Sequence, residues 1–306
     1  MDYNNKHCNL LSGWIIFILL VNCAGAATLN VPADYSTIQA AINASITGDT
    51  ILVQSGTYYE HVDVNKQLTL QGVGLPVVDA EYSGKAITLS ADGCILQGFV
   101  AKNSGYSSED AGIKVISSNN TISGNTATEN SWNGIGLVSS SGNTISDNTA
   151  NGNSENGISL RYSSNNTISD NNATGNYWGI DLYFSSGNTI SSNTATKSND
   201  CGIRLTSSNN NTISDNNATG NSENGISLRY SSNNIIYGNI ANGNSLYGIE
   251  IYSSSGNTIS GNAATENSRN GISLDSSSNN NISGNNANDS SYGIYLYSSN
   301  SNTISG

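Results

Sequence analysis

An isoleucine set in an Asn-Thr-Ile-Ser-like phrase returns at Ile122, Ile145, Ile168, Ile190, Ile213, Ile236, Ile259, Ile282 and Ile304, in steps of 22 or 23 residues. A second one, set in Gly-Ile-x-Leu, keeps the same step from Ile113 through Ile135, Ile158, Ile180, Ile203, Ile226, Ile249 and Ile272 to Ile294. A unit this short cannot bury an apolar face alone. A fixed period in the low twenties therefore requires like units stacked on one another, a solenoid.

The spacing inside one unit selects the kind of solenoid. In Gly157-Ile158-Ser159-Leu160 and Thr167-Ile168-Ser169, aliphatic and polar residues alternate, as in strands buried on one face. A third piece carries one small residue, at Ala127, Ala150, Ala173, Ala195, Ala218, Ala241, Ala264 and Ala287. Leucine-rich repeats have similar length but need several leucines per unit, and the Asn and Gly content here would break helices. The expected fold is all-β: a parallel β-helix with three short strands in each coil of 22–23 residues.

This fold accounts for the composition. Asn125, Asn148, Asn171, Asn193, Asn216, Asn239, Asn262 and Asn285 recur at one corner, where a left-handed backbone and amides stacked from rung to rung are expected. The glycine before each isoleucine is read as a second tight bend. Disordered chains can be equally rich in Ser, Asn and Gly, but they do not hold aliphatic residues in register across nine units.

The ends differ from the middle. Residues 1–26 hold Lys6, an apolar run from Trp14 to Val21 and small residues Ala24-Gly25-Ala26, the pattern of a signal peptide. Cys23 in Leu-Val-Asn-Cys also has a faint likeness to a lipid-anchoring signal. The mature chain would keep Cys94 and Cys201, too many rungs apart for one disulfide. Within an N-terminal cap at 27–49, the stretch from Asp34 to Ser45 has a helical pattern, with Ser36 as N-cap and Ile38, Ala41 and Ile42 on one face. Irregular coils are expected over 50–110, built on Thr50 to Val53, Leu68 to Leu70, Ile87 to Leu89 and Ile95 to Phe99, and regular repeats over 111–306. The last unit has neither proline nor charge to blunt its edge, so end-to-end contacts or further C-terminal sequence are expected there.

The stretch VPADYSTIQAAINASITGDTILVQSGTYYEHVDVNKQLTLQGVG, followed by NNTISGN and NGISL coils, resembles the NosD-like right-handed β-helix proteins of the pectin-lyase-like superfamily, grouped as carbohydrate-binding and sugar-hydrolysis repeats. The resemblance implies a right-handed, single-stranded β-helix and a secreted or cell-surface location. It also raises copper, because that family includes a periplasmic protein associated with copper delivery. Copper(I) needs clustered Cys, Met or His, and this chain has Met1 alone plus His7 and His61, so no metal ligand is assigned. Calcium is the one cation the corner oxygens of Asp147, Asp170 and Asp215 could attract, although the calcium-binding nonapeptide of other β-helices is absent. The catalytic motifs of pectin methylesterases, pectate lyases and mannuronan epimerases are missing, so the resemblance supplies no catalytic residue.

A net charge of −12 argues against nucleic acid and anionic membranes as partners. Glycosylation triplets start at Asn43, Asn119, Asn165, Asn172, Asn210, Asn217, Asn281 and Asn288, which fits an exported surface. Charge and aromaticity gather on the residues flanking the leucine of Gly-Ile-x-Leu-x. The first column reads Lys114, Gly136, Ser159, Asp181, Arg204, Ser227, Glu250, Ser273 and Tyr295. The second reads Ile116, Val138, Arg161, Tyr183, Thr206, Arg229, Tyr252, Asp275 and Tyr297. Both are expected to face solvent.

Tyrosine faces stack on sugar rings and Arg and carboxylates bond hydroxyls, so a polysaccharide or surface glycan is the expected partner. Its contacts would be Arg161, Asp181, Tyr183, Arg204, Arg229, Glu250, Tyr252, Asp275, Tyr295 and Tyr297. The bland alternative makes Arg161, Asp181 and Arg204, and likewise Arg229 and Glu250, exposed ion pairs between rungs. Glu250 and Asp275, one rung apart on a diagonal of about 8 Å, are the only catalytic candidates, spaced for an inverting glycosidase. A surface β-helix that binds glycan or builds a surface layer is thus the leading function. A carbohydrate-active enzyme is the alternative, and an ice-binding or adhesive scaffold built on hydroxyl rows such as Thr144-Ile145-Ser146 is the third.

Overall fold

A computed structural model describes residues 25–306; the expected signal peptide and Cys23 lie almost entirely outside these residues. The chain winds as a parallel β-helix with sheets of 13, 11 and 4 strands. The 13-stranded sheet carries the Thr-Ile-Ser rows, paired in register as Ile122 with Ile145 and Ile145 with Ile168. The 11-stranded sheet carries Gly-Ile-x-Leu-x, with Ile158 on Ile180, Asp181 on Arg204 and Arg229 on Tyr252. The third face is a true strand only as far as Thr126–Thr128. In the regular coils it shrinks to single bridges such as Thr149 to Asn172, so each coil there has two strands and a bridge rather than three strands. A single small residue between two corners leaves too little extended backbone for a ladder.

Ile, Leu and Ala from the three faces fill the core, with Ile168, Leu182 and Ala195 wholly excluded from solvent. The corners are polar but equally buried. Asn193 donates its backbone N–H and Nδ2 to Asn216 Oδ1, at 2.9 and 3.0 Å, and Asn216 repeats both bonds to Asn239, at 3.0 and 2.9 Å. The Nδ2 groups also reach core-strand carbonyls, as from Asn216 to Ile190 at 2.9 Å. Parallel ladders run through Asn143, Asn166 and Asn188, and through Asn130, Asn153 and Asn176. Each amide thus satisfies the backbone of a turn that no sheet can satisfy.

Two corner assignments need correction. The stacked asparagines are not left-handed; that conformation belongs to the residue before each, such as Asp147, Asp170 and Asp215, at φ 57°, 58° and 56°. The glycines before isoleucine mark close approach rather than a bend. A Cβ on Gly157 would lie 2.6 Å from Asn176 Nδ2 and 2.7 Å from the Gly179 carbonyl oxygen.

At the N-terminal end the helix Ile38–Ala44 buries Ile38, Ala41 and Ile42 as expected. Its N-cap is Thr37 rather than Ser36, with Thr37 Oγ1 accepting from Ala40 N at 3.1 Å. The Glu60 carboxylate takes the Ile38 and Gln39 N–H groups, each at 2.9 Å. Cys94 and Cys201 are free and buried.

Candidate functional site

On the 11-stranded sheet, each strand is entered from a loop that stacks on its neighbours. Glu155 N bonds Trp132 O at 3.0 Å, Tyr177 N bonds Glu155 O at 2.8 Å, and Asp200, Glu223, Leu246, Arg269 and Tyr292 continue the pile. These loops form one wall of a groove, and the second column, from Val138 through Arg161 and Tyr183 to Tyr297, forms the other.

The first column is the floor, and here the structure departs from expectation. Lys114, Ser159, Asp181, Ser227 and Ser273 point away from the core yet are 0–6% exposed. The entry asparagines lean over them, Asn224 Nδ2 reaching Glu250 at 3.0 Å and Asn270 Nδ2 reaching Ser273 Oγ at 3.2 Å. The Asp181–Arg204 pair is accordingly largely covered, whereas Arg229 of the Arg229–Glu250 pair stays about half exposed. Asp181 Oδ1 accepts from Arg204 Nε at 2.7 Å, and the Arg204 guanidinium lies 3.4 Å over the Trp178 ring. Arg161 does not join them; its nearest carboxylate partner is Glu109, at 3.7 Å, which also holds Lys114 at 3.0 Å. Glu250 Oε2 takes Asn224, Ser227 and both Nε and Nη2 of Arg229, at 2.7–3.3 Å. Asp275 takes the Ser276 hydroxyl at 2.8 Å. Glu250 and Asp275 belong to adjacent paired strands, Glu250 opposite Ser273 and Asp275 opposite Tyr252. Four donors thus converge on one oxygen of Glu250 and tie it into the surface of the sheet.

The structure gathers Arg161, Asp181, Tyr183 and Arg204 around one recess of about 220 Å³, and adds Trp132, Glu155, Asn156, Ser159 and Trp178, which sequence reasoning missed. Burial raises the carboxyls of both Asp181 and Glu155 above the ordinary range; for Glu155, Arg204 opposes the shift and Asp181 adds to it. Tyr295 lines a separate hollow with Tyr247, Arg269 and Tyr292, and Tyr252 packs edge-on against Tyr230 with centroids 5.7 Å apart. Beside the recess, Tyr162 stacks on Phe184 at 5.6 Å and Tyr183 meets Phe184 edge-on at 4.6 Å. Tyr162, Phe184 and Tyr230 take left-handed backbone, at φ 50°, 47° and 53°, where other rungs place Ser139, Ser207 and Ser253. A bulky residue there costs on the order of 1 kcal/mol or more, yet all three are about half exposed. The sequence signal was available: aromatics replace serine after the second column only in these rungs, and both tryptophans of the repeats precede Gly-Ile two rungs apart.

Among the described residues copper finds no cluster of donors. Among the described residues no three His, Cys, Asp or Glu side chains gather as a metal site, and Cys201 Sγ is bonded to Asp200 Oδ1 at 2.8 Å.

Three parallel sheets wound into successive coils, with a recess of charged and aromatic side chains on one of them, define a solenoid of the right-handed β-helix class. Residues 167–306 match a model described as right handed beta helix region. Residues 42–224 match the model described as periplasmic copper-binding protein (NosD), and the chain belongs to that family. A cell surface glycoprotein of Methanothermus fervidus is 36% identical over 122 residues, covering 37% of this chain and 20% of that protein. The chain thus spans about one fifth of that relative. Among solved structures, the A-module of an Azotobacter vinelandii mannuronan C-5 epimerase superposes with a TM-score of 0.66 at 16% identity, covering 89% of this chain and 96% of that one. PfbA, a surface adhesin of Streptococcus pneumoniae, gives 0.64 at 13% identity, covering 90% of each chain. At such identities the likeness shows the fold.

Proposed function

We propose that this protein is an exported, cell-surface β-helix that binds carbohydrate along the groove of its 11-stranded sheet. One observation carries the reading: the chain holds Tyr162 and Phe184 in strained backbone and half exposed, beside a recess lined by Trp132, Trp178 and Tyr183. Packing alone would be served by the serine of neighbouring rungs; aromatic faces held open serve a ligand with stackable C–H surfaces. The surface glycoprotein relative and the adhesin and epimerase folds support this reading. The test is a glycan array followed by affinity electrophoresis with Tyr162→Ser, Tyr183→Ser and Phe184→Ser combined. Retention by the best polysaccharide should fall at least tenfold at unchanged melting temperature; undiminished retention would refute the assignment.

A second reading, a polysaccharide-active enzyme, is favoured by the place of Glu155 and Asp181 in the lining of the recess, where burial raises both carboxyls in the direction a general acid needs. It requires that the purified protein release reducing or unsaturated ends from a bound polysaccharide. Loss of that turnover in Glu155→Gln would assign the acid.

A further inference from the structure

The hydrogen-bonding groups left open in the recess specify more than a generic glycan. Asn156 is 6% exposed and donates Nδ2 to Asn133 Oδ1 at 2.7 Å, but its Oδ1 has no partner among the described residues. Trp178 Nε1–H, also buried, has none either. Glu155 belongs to none of the six ion pairs among the described residues. Two acceptors and one donor on residues that line the recess are therefore unspent. A buried polar atom without a partner is costly, and natural interiors avoid it except where a ligand or water completes it.

Resting on the carbohydrate reading above, we infer that the recess is a subsite for an uncharged sugar ring that gives hydroxyl hydrogens to Asn156 Oδ1 and Glu155 and accepts one from Trp178 Nε1. A uronate carboxylate fits this set poorly. It has no hydrogen to give, and it would meet the carboxylates of Glu155 and Asp181. The Arg204 guanidinium is already committed to Asp181 and the Trp178 face. Arg161, the other guanidinium of the recess, stands at the rim beside Glu109, with its side chain 40% exposed. A hydroxyl can donate and accept at once, which matches the mixed set.

The full chain carrying Trp14→Phe provides the assay, because its only tryptophans, Trp132 and Trp178, both line the recess. Emission is titrated with glucose-, mannose- and galactose-based hexasaccharides and with hexamers of galacturonate and mannuronate. At least one neutral hexasaccharide should shift the emission, with a Kd at least tenfold below that of either uronate. Glu155→Gln should narrow this gap to threefold or less by removing the repelling charge, with the fold intact by circular dichroism. Equal or tighter uronate binding, or neutral binding that leaves the emission unchanged, would overturn the subsite while the groove reading stands. A glycan array with no hit at all would remove both.

Discussion

The corner ladders make a quantitative claim, and one rung already tests it. In the ladder through Asn130, Asn153, Asn176, Asn221 and Asn244, position 198 is serine, and its Oγ is buried without a partner. Asn153 N donates to Asn176 Oδ1 at 2.8 Å and Ser198 N to Asn221 Oδ1 at 2.9 Å, but Ser198 is too short to take the Asn176 N–H. Ser198→Asn supplies an Oδ1 for Asn176 N and Nδ2, and an Nδ2 for the Ala173 carbonyl in the way Asn176 Nδ2 serves Ala150 at 2.9 Å. Satisfying one buried backbone donor and removing one orphan hydroxyl should stabilise by about 2 kcal/mol, less a few tenths for fixing the new side chain. The urea midpoint should rise, and exchange protection of the Asn176 amide should increase by roughly a factor of 30. Asn221→Ser, the reverse change one rung on, should cost a similar amount. If Ser198→Asn is neutral or destabilising while Asn221→Ser also costs nothing, the ladders are geometry without energy and the argument fails.

Gly225→Ala puts a Cβ 2.7 Å from the Gly248 carbonyl oxygen and 2.8 Å from that of Ala218, and should lower the urea midpoint by an amount corresponding to about 3 kcal/mol or more. Glu155, whose carboxyl burial raises, binds a proton more tightly folded than unfolded; its contribution favours folding at low pH and is lost as pH rises through the folded value. Tryptophan emission should therefore titrate above the ordinary glutamate range in wild type and not in Glu155→Gln. Asp49 is the opposite case, held low by the N–H groups of Ile46 and Ala27 at 2.8 and 2.7 Å. Its contribution is present above the ordinary aspartate value and lost as pH falls through the lowered one, so proteolysis near the N-terminal strand should accelerate in acid, and Asp49→Asn should flatten that dependence. Deleting one period, residues 213–235, should leave a shorter folded rod by circular dichroism, because each coil contacts chiefly its neighbours.

The sequence by itself determined the solenoid, the pitch of its coils and the inward set. Period and alternation are local facts, and Ile168, Leu182 and Ala195 had no other place to go. Stacking of corner amides was legible for the same reason, since identical residues at identical steps must meet. What the tertiary structure alone decided was what covers the outward columns. Alternation says that Asp181 leaves the core and meets Arg204 on the next rung, but not that the entry loops would close over it, that Arg204 would lie on the Trp178 ring, or that Arg161 would be left to Glu109. The reach of Arg161 to Glu109 depends on loop conformation rather than on strand periodicity. The departures at the corners have the same origin: which residue turns left-handed, and which glycine is needed for a close approach, depends on the backbone of the next rung. That rung lies about 4.8 Å away in space though a full period away in the chain.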